Sequence, residues 1–190
     1  MTDVSMNAKK SEHMVVVGAG LVGSLWALML AQRGHRVDVY ERRPDPRTGS
    51  VKGGRSINLA LSDRGWRALE KAGIAQKVRQ IALPIEGRLM HAQDGALTFQ
   101  RYGLPEATGL HGDPQCIYSV SRANLNRLLV EAAEAHAGVA FHFGHKCADV
   151  DLSKNVLELE SPEGSSVLVQ YDRLFGTDGA FSAVRNRLTR

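Results

Sequence analysis

The stretch Val15-Val16-Val17-Gly18-Ala19-Gly20-Leu21-Val22-Gly23, answered downstream by Tyr40-Glu41-Arg42, decides the fold. An apolar β-branched run is followed by spaced glycines, an apolar helical segment and a second strand that ends in an acid. Strand, glycine turn, helix, strand, acid is the order of a nucleotide-binding β-α-β unit. Gly18 suits the tight turn, Gly20 the close approach of a pyrophosphate, and Gly23 the packing of helix on strand. The helix N-terminus offers free N–H groups and a partial positive charge to phosphates. Glu41, 23 positions after Gly18, stands where an acid accepts hydrogen bonds from an adenosine ribose. Such an acid suits FAD or NAD and repels a 2′-phosphate, although Arg42 and Arg43 soften that discrimination. A glycine turn without a ligand is the plain alternative.

Working outward, 190 residues suggest one domain or slightly more. The formal charge of +4 comes from basic residues scattered among acids, with no basic stripe interleaved with aromatics. Nucleic-acid binding is therefore not expected. Residues 1–13 are polar, lack the apolar core of a secretory signal, and are expected to be a mobile arm ahead of a domain at 14–190. No apolar stretch reaches the roughly 20 residues a membrane-spanning helix needs. Cys116 and Cys147 match no metal spacing and read as reduced thiols, which points to a cytoplasmic protein.

The pattern predicts strands at Met14–Val17 and Arg36–Glu41 around a helix at Leu21–Arg33 that Gly34 ends. A loop covers Arg43–Gly54. A strand at Ser56–Leu61 leads into a helix capped by Ser62 and stopped near Gly73. Pro84 opens a different texture, in which Ile85–His91 and Ala96–Arg101 flank the hairpin signal Gln93-Asp94-Gly95. A loop at Tyr102–Gln115, a strand at Ile117–Val120 and an amphipathic helix at Ala123–Ala137 follow. Val139–Phe143 is a strand with no assignable partner. Lys146–Leu152, Val156–Leu159 and Val167–Tyr171 form a three-stranded antiparallel piece. Arg173–Gly176 is a last buried strand before a helix over Phe181–Leu188.

Several residues have both a chemical and a plain reading. Ala60 lies in Arg55-Ser56-Ile57-Asn58-Leu59-Ala60-Leu61-Ser62, where a small side chain would let a flat ring approach; on pattern alone this is a core strand. Ser121-Arg122 at a helix start could bring a cation to a phosphate, or be a capping serine with a solvated arginine. Asp178 in Thr177-Asp178-Gly179-Ala180 could accept bonds from loop N–H groups or a ligand hydroxyl, or mark a turn. Arg88 and Tyr102, if brought together, could bind a carboxylate through the guanidinium fork; taken singly they are a surface arginine and a half-buried tyrosine. The seven histidines match no metal spacing; His142 and His145 read as structural. No nucleophile-elbow serine or hydrolase constellation is present.

Together the glycine motif, Asp38-Val39-Tyr40-Glu41-Arg42, Gly54-Arg55-Ser56-Ile57-Asn58-Leu59-Ala60-Leu61-Ser62-Asp63-Arg64-Gly65, Tyr118-Ser119-Val120-Ser121-Arg122 and Gly176-Thr177-Asp178-Gly179-Ala180 resemble the FAD-dependent aromatic hydroxylases. The long Arg55–Ser62 run narrows the resemblance to the kynurenine-hydroxylating members, over about residues 14–190. The resemblance implies an α/β, Rossmann-like FAD-binding domain with an inserted small β-sheet. It places Val22, Tyr40, Glu41, Arg42, Ala60, Arg122, Cys147 and Asp178 at or near FAD, Cys147 through its backbone. It places Arg88 and Tyr102 on the amino-acid carboxylate of L-kynurenine. It implies NADPH as co-substrate, O2 as oxidant, and 3-hydroxy-L-kynurenine as product. The flavin then carries the chemistry, which accounts for a chain with no evident nucleophile or metal site.

The family continues beyond the motifs found here, so the chain is expected to be the N-terminal part of such an enzyme, with apolar faces left uncovered. The alternatives are another flavin hydroxylase of the same fold, or an FAD-binding fragment without turnover. A nicotinamide-dependent dehydrogenase fits the opening motif but leaves the Arg55–Ser62 run and Asp178 unexplained.

Overall fold

The computed structural model describes residues 11–48, 58–103 and 116–189. The first elements are β1 (His13–Val17), α1 (Leu21–Ala31), β2 (Arg36–Glu41), β3 (Asn58–Leu61), α2 (Asp63–Lys71), α3 (Ala75–Arg79), β4 (Ala82–Ile85), β5 (Gly87–His91) and β6 (Leu97–Arg101). They are followed by β7 (Ile117–Ser121), α4 (Arg122–Glu134), β8 (Val139–Phe143), β9 (Lys146–Asp151), β10 (Val156–Glu160), β11 (Ser166–Gln170), β12 (Arg173–Gly176) and α5 (Ala183–Leu188). The chain divides into two compact units, residues 1–50 with 130–190, and residues 51–129. The single domain expected over 14–190 is thus an α/β unit with a smaller unit inserted in its sequence.

The α/β unit is built on a parallel sheet in the order β12-β1-β2-β8. Strands inside a parallel sheet are covered on both faces, so they read as unbroken apolar runs. Met14–Val17 is such a run, and every one of its residues is buried. β8, whose partner was not assignable from its sequence, is the parallel neighbour of β2, with Tyr40 opposite His142. His13 belongs to β1 rather than to an arm: Asp172 accepts from its N–H at 2.7 Å, and Glu12 O accepts from Arg36 N at 3.2 Å. The first ten residues lie outside the described ones.

β9, β10 and β11 form the expected antiparallel sheet, in the order β11-β10-β9. Its inward residues Val150, Leu157 and Leu159 share one core with Val15, Val17, Tyr40, Tyr171 and Val184. Burying a side chain of this size stabilises by about 1.5–3 kcal/mol. A charge at Val15 would lose that term and leave itself without water. α5 begins at Ala183 rather than Phe181, because Ser182 and Asp178 cap it there.

One polar cluster interrupts this core. Asp38 on β2 receives the Nε2 of His13 from β1 and the Nε2 of His142 from β8, each at 2.7 Å, and Arg36 Nη2 at 3.1 Å. An ionised carboxylate can only accept, so both imidazoles donate. The bond from His142, opposed by burial and reinforced by His13, lowers the Asp38 carboxyl from 3.8 to about 2. Tyr40 stacks on His142 with ring centroids 4.6 Å apart, and burial first, then Asp38, push its phenol up to about 12.

In the inserted unit, β3, β7 and β4 form an antiparallel sheet with β7 in the middle. Pro84, which read as the start of a new segment, sits inside β4. That strand is an edge, so the missing N–H is tolerated. α2 buries Trp66, with Tyr118 edge-on at 5.1 Å and the Arg79 guanidinium 5.0 Å from the ring centroid. α3 was not foreseen.

β5 and β6 form the hairpin signalled by Gln93-Asp94-Gly95. Gly95 has φ +85°, and Asp94 Oδ1 accepts from Ala96 N at 3.0 Å. Register pairs Leu89 with Phe99, His91 with Leu97 and Arg88 with Gln100. Alternation therefore puts Leu89, Leu97 and Phe99 on one face and Arg88 and Gln100 on the other. A Cβ at Gly87 would lie 2.7 Å from Phe99 Cζ, so the ring leans over that glycine. Leu97 and Phe99 remain 60% and 55% exposed.

Two outcomes are expected. Asp38→Asn costs about 2 kcal/mol in denaturant unfolding near neutral pH, the size of the carboxyl shift. The folded value lies below the unfolded one, so this stability is present above pH 3.8 and is lost as pH falls towards about 2, where mutant and parent converge. Replacing Leu97 and Phe99 with threonine raises the concentration at which the 190-residue chain aggregates, read by light scattering, with an unchanged melting midpoint.

Candidate nucleotide-binding site

The loop between β1 and α1 is pinned from two strands. From β2, Tyr40 O accepts from Gly18 N at 2.7 Å, and Glu41 Oε2 accepts from Ala19 N at 2.9 Å. Beyond β12, the Thr177 hydroxyl lies 2.8 Å from both Val17 O and Gly18 O, and Thr177 N donates to Val17 O at 2.8 Å. Ser24, fully buried, turns its hydroxyl to Ala19 O at 3.2 Å.

The three glycines have different physical causes. Gly18 has φ +100°, and a Cβ there would meet Thr177 O at 2.7 Å. A Cβ at Gly23 would collide with Gly18 O and come within 2.6 Å of Thr177 Oγ1. These two roles agree with the expected turn and close packing. At Gly20 a Cβ would meet nothing within 4 Å, and its φ of −74° needs no glycine. The protein's own packing does not account for that residue, and the backbone there is open to a ligand.

The open space at Gly20 adjoins the start of α1. Gly20 is the N-cap and offers no side-chain hydrogen bond, and no acid occupies the first turn. The first intrahelical bond runs from Ser24 N to Gly20 O at 2.9 Å, so the amides of residues 21–23 precede it. Val22 stands 68% exposed on that turn. Donors, a positive dipole end and a missing side chain together fit a diphosphate.

Glu41 is buried and already engaged. Oε1 accepts from Arg43 N at 2.9 Å and Nε at 3.0 Å, while Oε2 holds Ala19 N. Burial alone would raise its carboxyl, but the bonds and charge of Arg43, helped by Ala19, lower it below 4.5. Each carboxylate oxygen has two acceptor sites, so Oε2 retains one for a hydroxyl. Arg42 is exposed.

Asp178 turns onto its own helix, accepting from Ser182 Oγ at 2.6 Å and Ala183 N at 2.7 Å. Cys147 is half-buried beside the core, and burial, then Asp178 and Asp149, push its thiol up to about 11. That thiol stays protonated near neutral pH. Tyr40 faces His142 in the core and reaches the loop through its carbonyl.

The inserted unit carries the other candidates. Ala60 is exposed on β3, opposite Ser119, and Arg122 is exposed at the first position of α4. Arg55, Ser56 and Ile57 lie outside the described residues. Arg88 is exposed, and its Nε donates to Gln100 Oε1 at 2.9 Å. Tyr102 N continues the ladder to Glu86 O at 2.7 Å, so alternation sets Tyr102 on the face that bears Arg88 and Gln100. Among the described residues no group of acids, histidines and cysteines is placed to hold a metal.

A family model described as an FAD binding domain matches residues 12–189. The chain belongs to this FAD binding domain family. Curated relatives include kynurenine 3-monooxygenase of Flavobacterium psychrophilum, 47% identical over 96% of this chain and 38% of the relative, and that of Drosophila melanogaster, 40% identical over 95% and 37%. The chain thus spans under two-fifths of these relatives' length. Solved structures with the same fold include p-nitrophenol 4-monooxygenase PnpA from Pseudomonas putida, with TM-score 0.75 and 24% identity over 94% of this chain and 43% of that one. The flavin-dependent monooxygenase PieE has TM-score 0.75 and 22% identity over 95% and 32%.

In this FAD binding domain, the roles of Thr177 and Ser24 in holding the glycine loop, and of Arg43 in holding Glu41, were not legible in the sequence. Thr177 lies inside a motif quoted for Asp178, and only its long-range bonds reveal that it anchors the glycine loop. The separate causes of the glycines give a test. Gly20→Val weakens FAD binding at least ~10-fold in a fluorescence-quenching titration, while lowering apoprotein stability by less than about 1 kcal/mol. Gly23→Val instead destabilises the apoprotein by more than about 2 kcal/mol, read by denaturant unfolding.

Proposed function

We propose that this chain is the flavin-holding part of an NADPH- and FAD-dependent monooxygenase that converts L-kynurenine to 3-hydroxy-L-kynurenine with O2. The observation that carries the reading is the family of curated relatives bearing the name kynurenine 3-monooxygenase, 47% to 39% identical across nearly all of this chain. FAD, when bound, supplies the redox chemistry and oxygen activation that no side chain here can provide.

The remaining work is holding and orienting. The amides at the start of α1, opened by Gly20 and flanked by Val22 and Gly23, hold the diphosphate. Glu41 accepts a ribose hydroxyl at Oε2, with Arg42 beside it. The resemblance assigns Ala60, Arg122, the Cys147 backbone and Asp178 to FAD as well. Arg88 and Tyr102 bind the substrate carboxylate: the guanidinium supplies charge and paired donors, and the phenol a further donor. NADPH acts as a co-substrate that comes and goes, so the acid at Glu41 does not bear on it. Both described cysteines are free thiols, and no helix among the described residues is long and apolar enough to cross a membrane. The free thiols favour action in the cytoplasm.

The test is NADPH oxidation with product analysis in the full-length, FAD-loaded protein. L-Kynurenine is expected to stimulate oxidation and yield 3-hydroxy-L-kynurenine, with Arg88→Ala raising KM about 10- to 100-fold. FAD binding without a response to kynurenine would leave the flavin site standing and remove the substrate assignment, in favour of another aromatic ring.

A further inference from the structure

Gln100 lies on β6 of the β5–β6 ribbon. It is the cross-strand partner of Arg88, and its Oε1 accepts the Arg88 Nε–H at 2.9 Å. A guanidinium can meet a carboxylate along its side, through Nε and one terminal nitrogen, or end-on through both terminal nitrogens. With Nε engaged by Gln100, the side approach is closed and the end-on fork is left.

The choice of an amide matters. An amide oxygen orients the guanidinium without cancelling its charge, and the amide nitrogen remains as a further donor for an anion. A carboxylate at the same position would hold Arg88 as well or better, yet neutralise it. The nearby acids are spent elsewhere: Glu86 pairs with Arg101 at 3.1 Å, and Asp94 is folded into the turn on Ala96 N. The face bearing Arg88 and Gln100, with Met90 and Thr98 beside them, therefore presents donors and the positive charge of Arg88. The opposite face carries Leu89, Leu97 and Phe99, with His91 and Arg101 at its ends.

We infer that Gln100 is a positioning residue for substrate recognition. It fixes Arg88 end-on and keeps it cationic, so that the site selects substrates carrying a carboxylate. This rests on the reading of Arg88 and Tyr102 given above. Gln100 acts through Arg88 and takes no part in the chemistry at the ring.

The test uses the full-length, FAD-loaded protein and two probes, L-kynurenine and its decarboxylated amine. Binding is followed by the change each causes in the flavin absorbance spectrum, and folding by the melting midpoint. Gln100→Glu keeps the acceptor for Arg88, so the midpoint is expected to hold. The Kd for L-kynurenine is expected to rise at least ~10-fold, with the decarboxylated amine bound as well as before or better. Gln100→Ala is expected to weaken L-kynurenine binding about 3- to 10-fold, again without weakening the amine. If Arg88→Ala abolishes the preference for L-kynurenine over the amine while Gln100→Glu leaves it intact, Gln100 is a ribbon-stabilising residue and the inference fails. If Arg88→Ala also leaves the preference intact, the carboxylate site itself is elsewhere and both readings fall.

Discussion

The close approach of the Gly18 loop to Thr177 is the constraint on which the nucleotide site depends. A Cβ at Gly18 would run into the Thr177 backbone, and one at Gly23 into the Gly18 carbonyl. The Thr177 hydroxyl then ties Val17 O and Gly18 O to the segment after β12. β1, α1 and β12 therefore meet without room for a methyl group. That contact fixes where the helix begins, and so where its unpaired amides point. Neutral hydrogen bonds of this kind are worth about 1 kcal/mol each. Their importance here is positional, since they stop the loop from collapsing into the space that Gly20 keeps open.

The donors of the loop fall into two sets, those bonded within the protein and those left open. Gly18 N and Ala19 N are spent on Tyr40 O and Glu41 Oε2, which close the loop against β2. The amides at the start of α1 are not claimed by a cap. Glu41 works on both sides of this division, holding the loop with one oxygen site and keeping another for a hydroxyl. Arg43 sustains it: burial alone would favour the protonated acid, and the arginine outweighs burial. The Asp38 cluster does similar work further back along the sheet, joining β1, β2 and β8 through His13 and His142.

What was legible in the sequence was local. Residues 15–41 carry their fold openly, because a β-α-β unit is contiguous and a buried parallel strand is apolar along its length. The hairpin around Gly95 was equally plain, whereas the pairing of Arg88 with Gln100 shows only in its register. The place of β8 was not legible: its neighbour β2 is about a hundred residues away, and five half-buried residues carry no pairing code. Thr177 was missed for the same reason, since its hydroxyl shows its role only when a distant carbonyl arrives; Ser24 reads as an ordinary helix residue although its hydroxyl bonds back to Ala19 O. Asp178 was expected to accept from loop N–H groups or a ligand hydroxyl; within the protein it accepts from Ser182 Oγ and from Ala183 N of its own helix. Pro84 misled, because a proline at an edge strand looks in sequence like a break.

The most direct measurement is amide hydrogen exchange in the full-length protein, with FAD bound and after FAD is stripped. The diphosphate is expected at the open start of α1, so added protection should concentrate on the amides of residues 21–23. Gly18 and Ala19, bonded already within the protein, should change little. Protection arising elsewhere in the chain, with the start of α1 exchanging equally in both forms, would contradict the site described here.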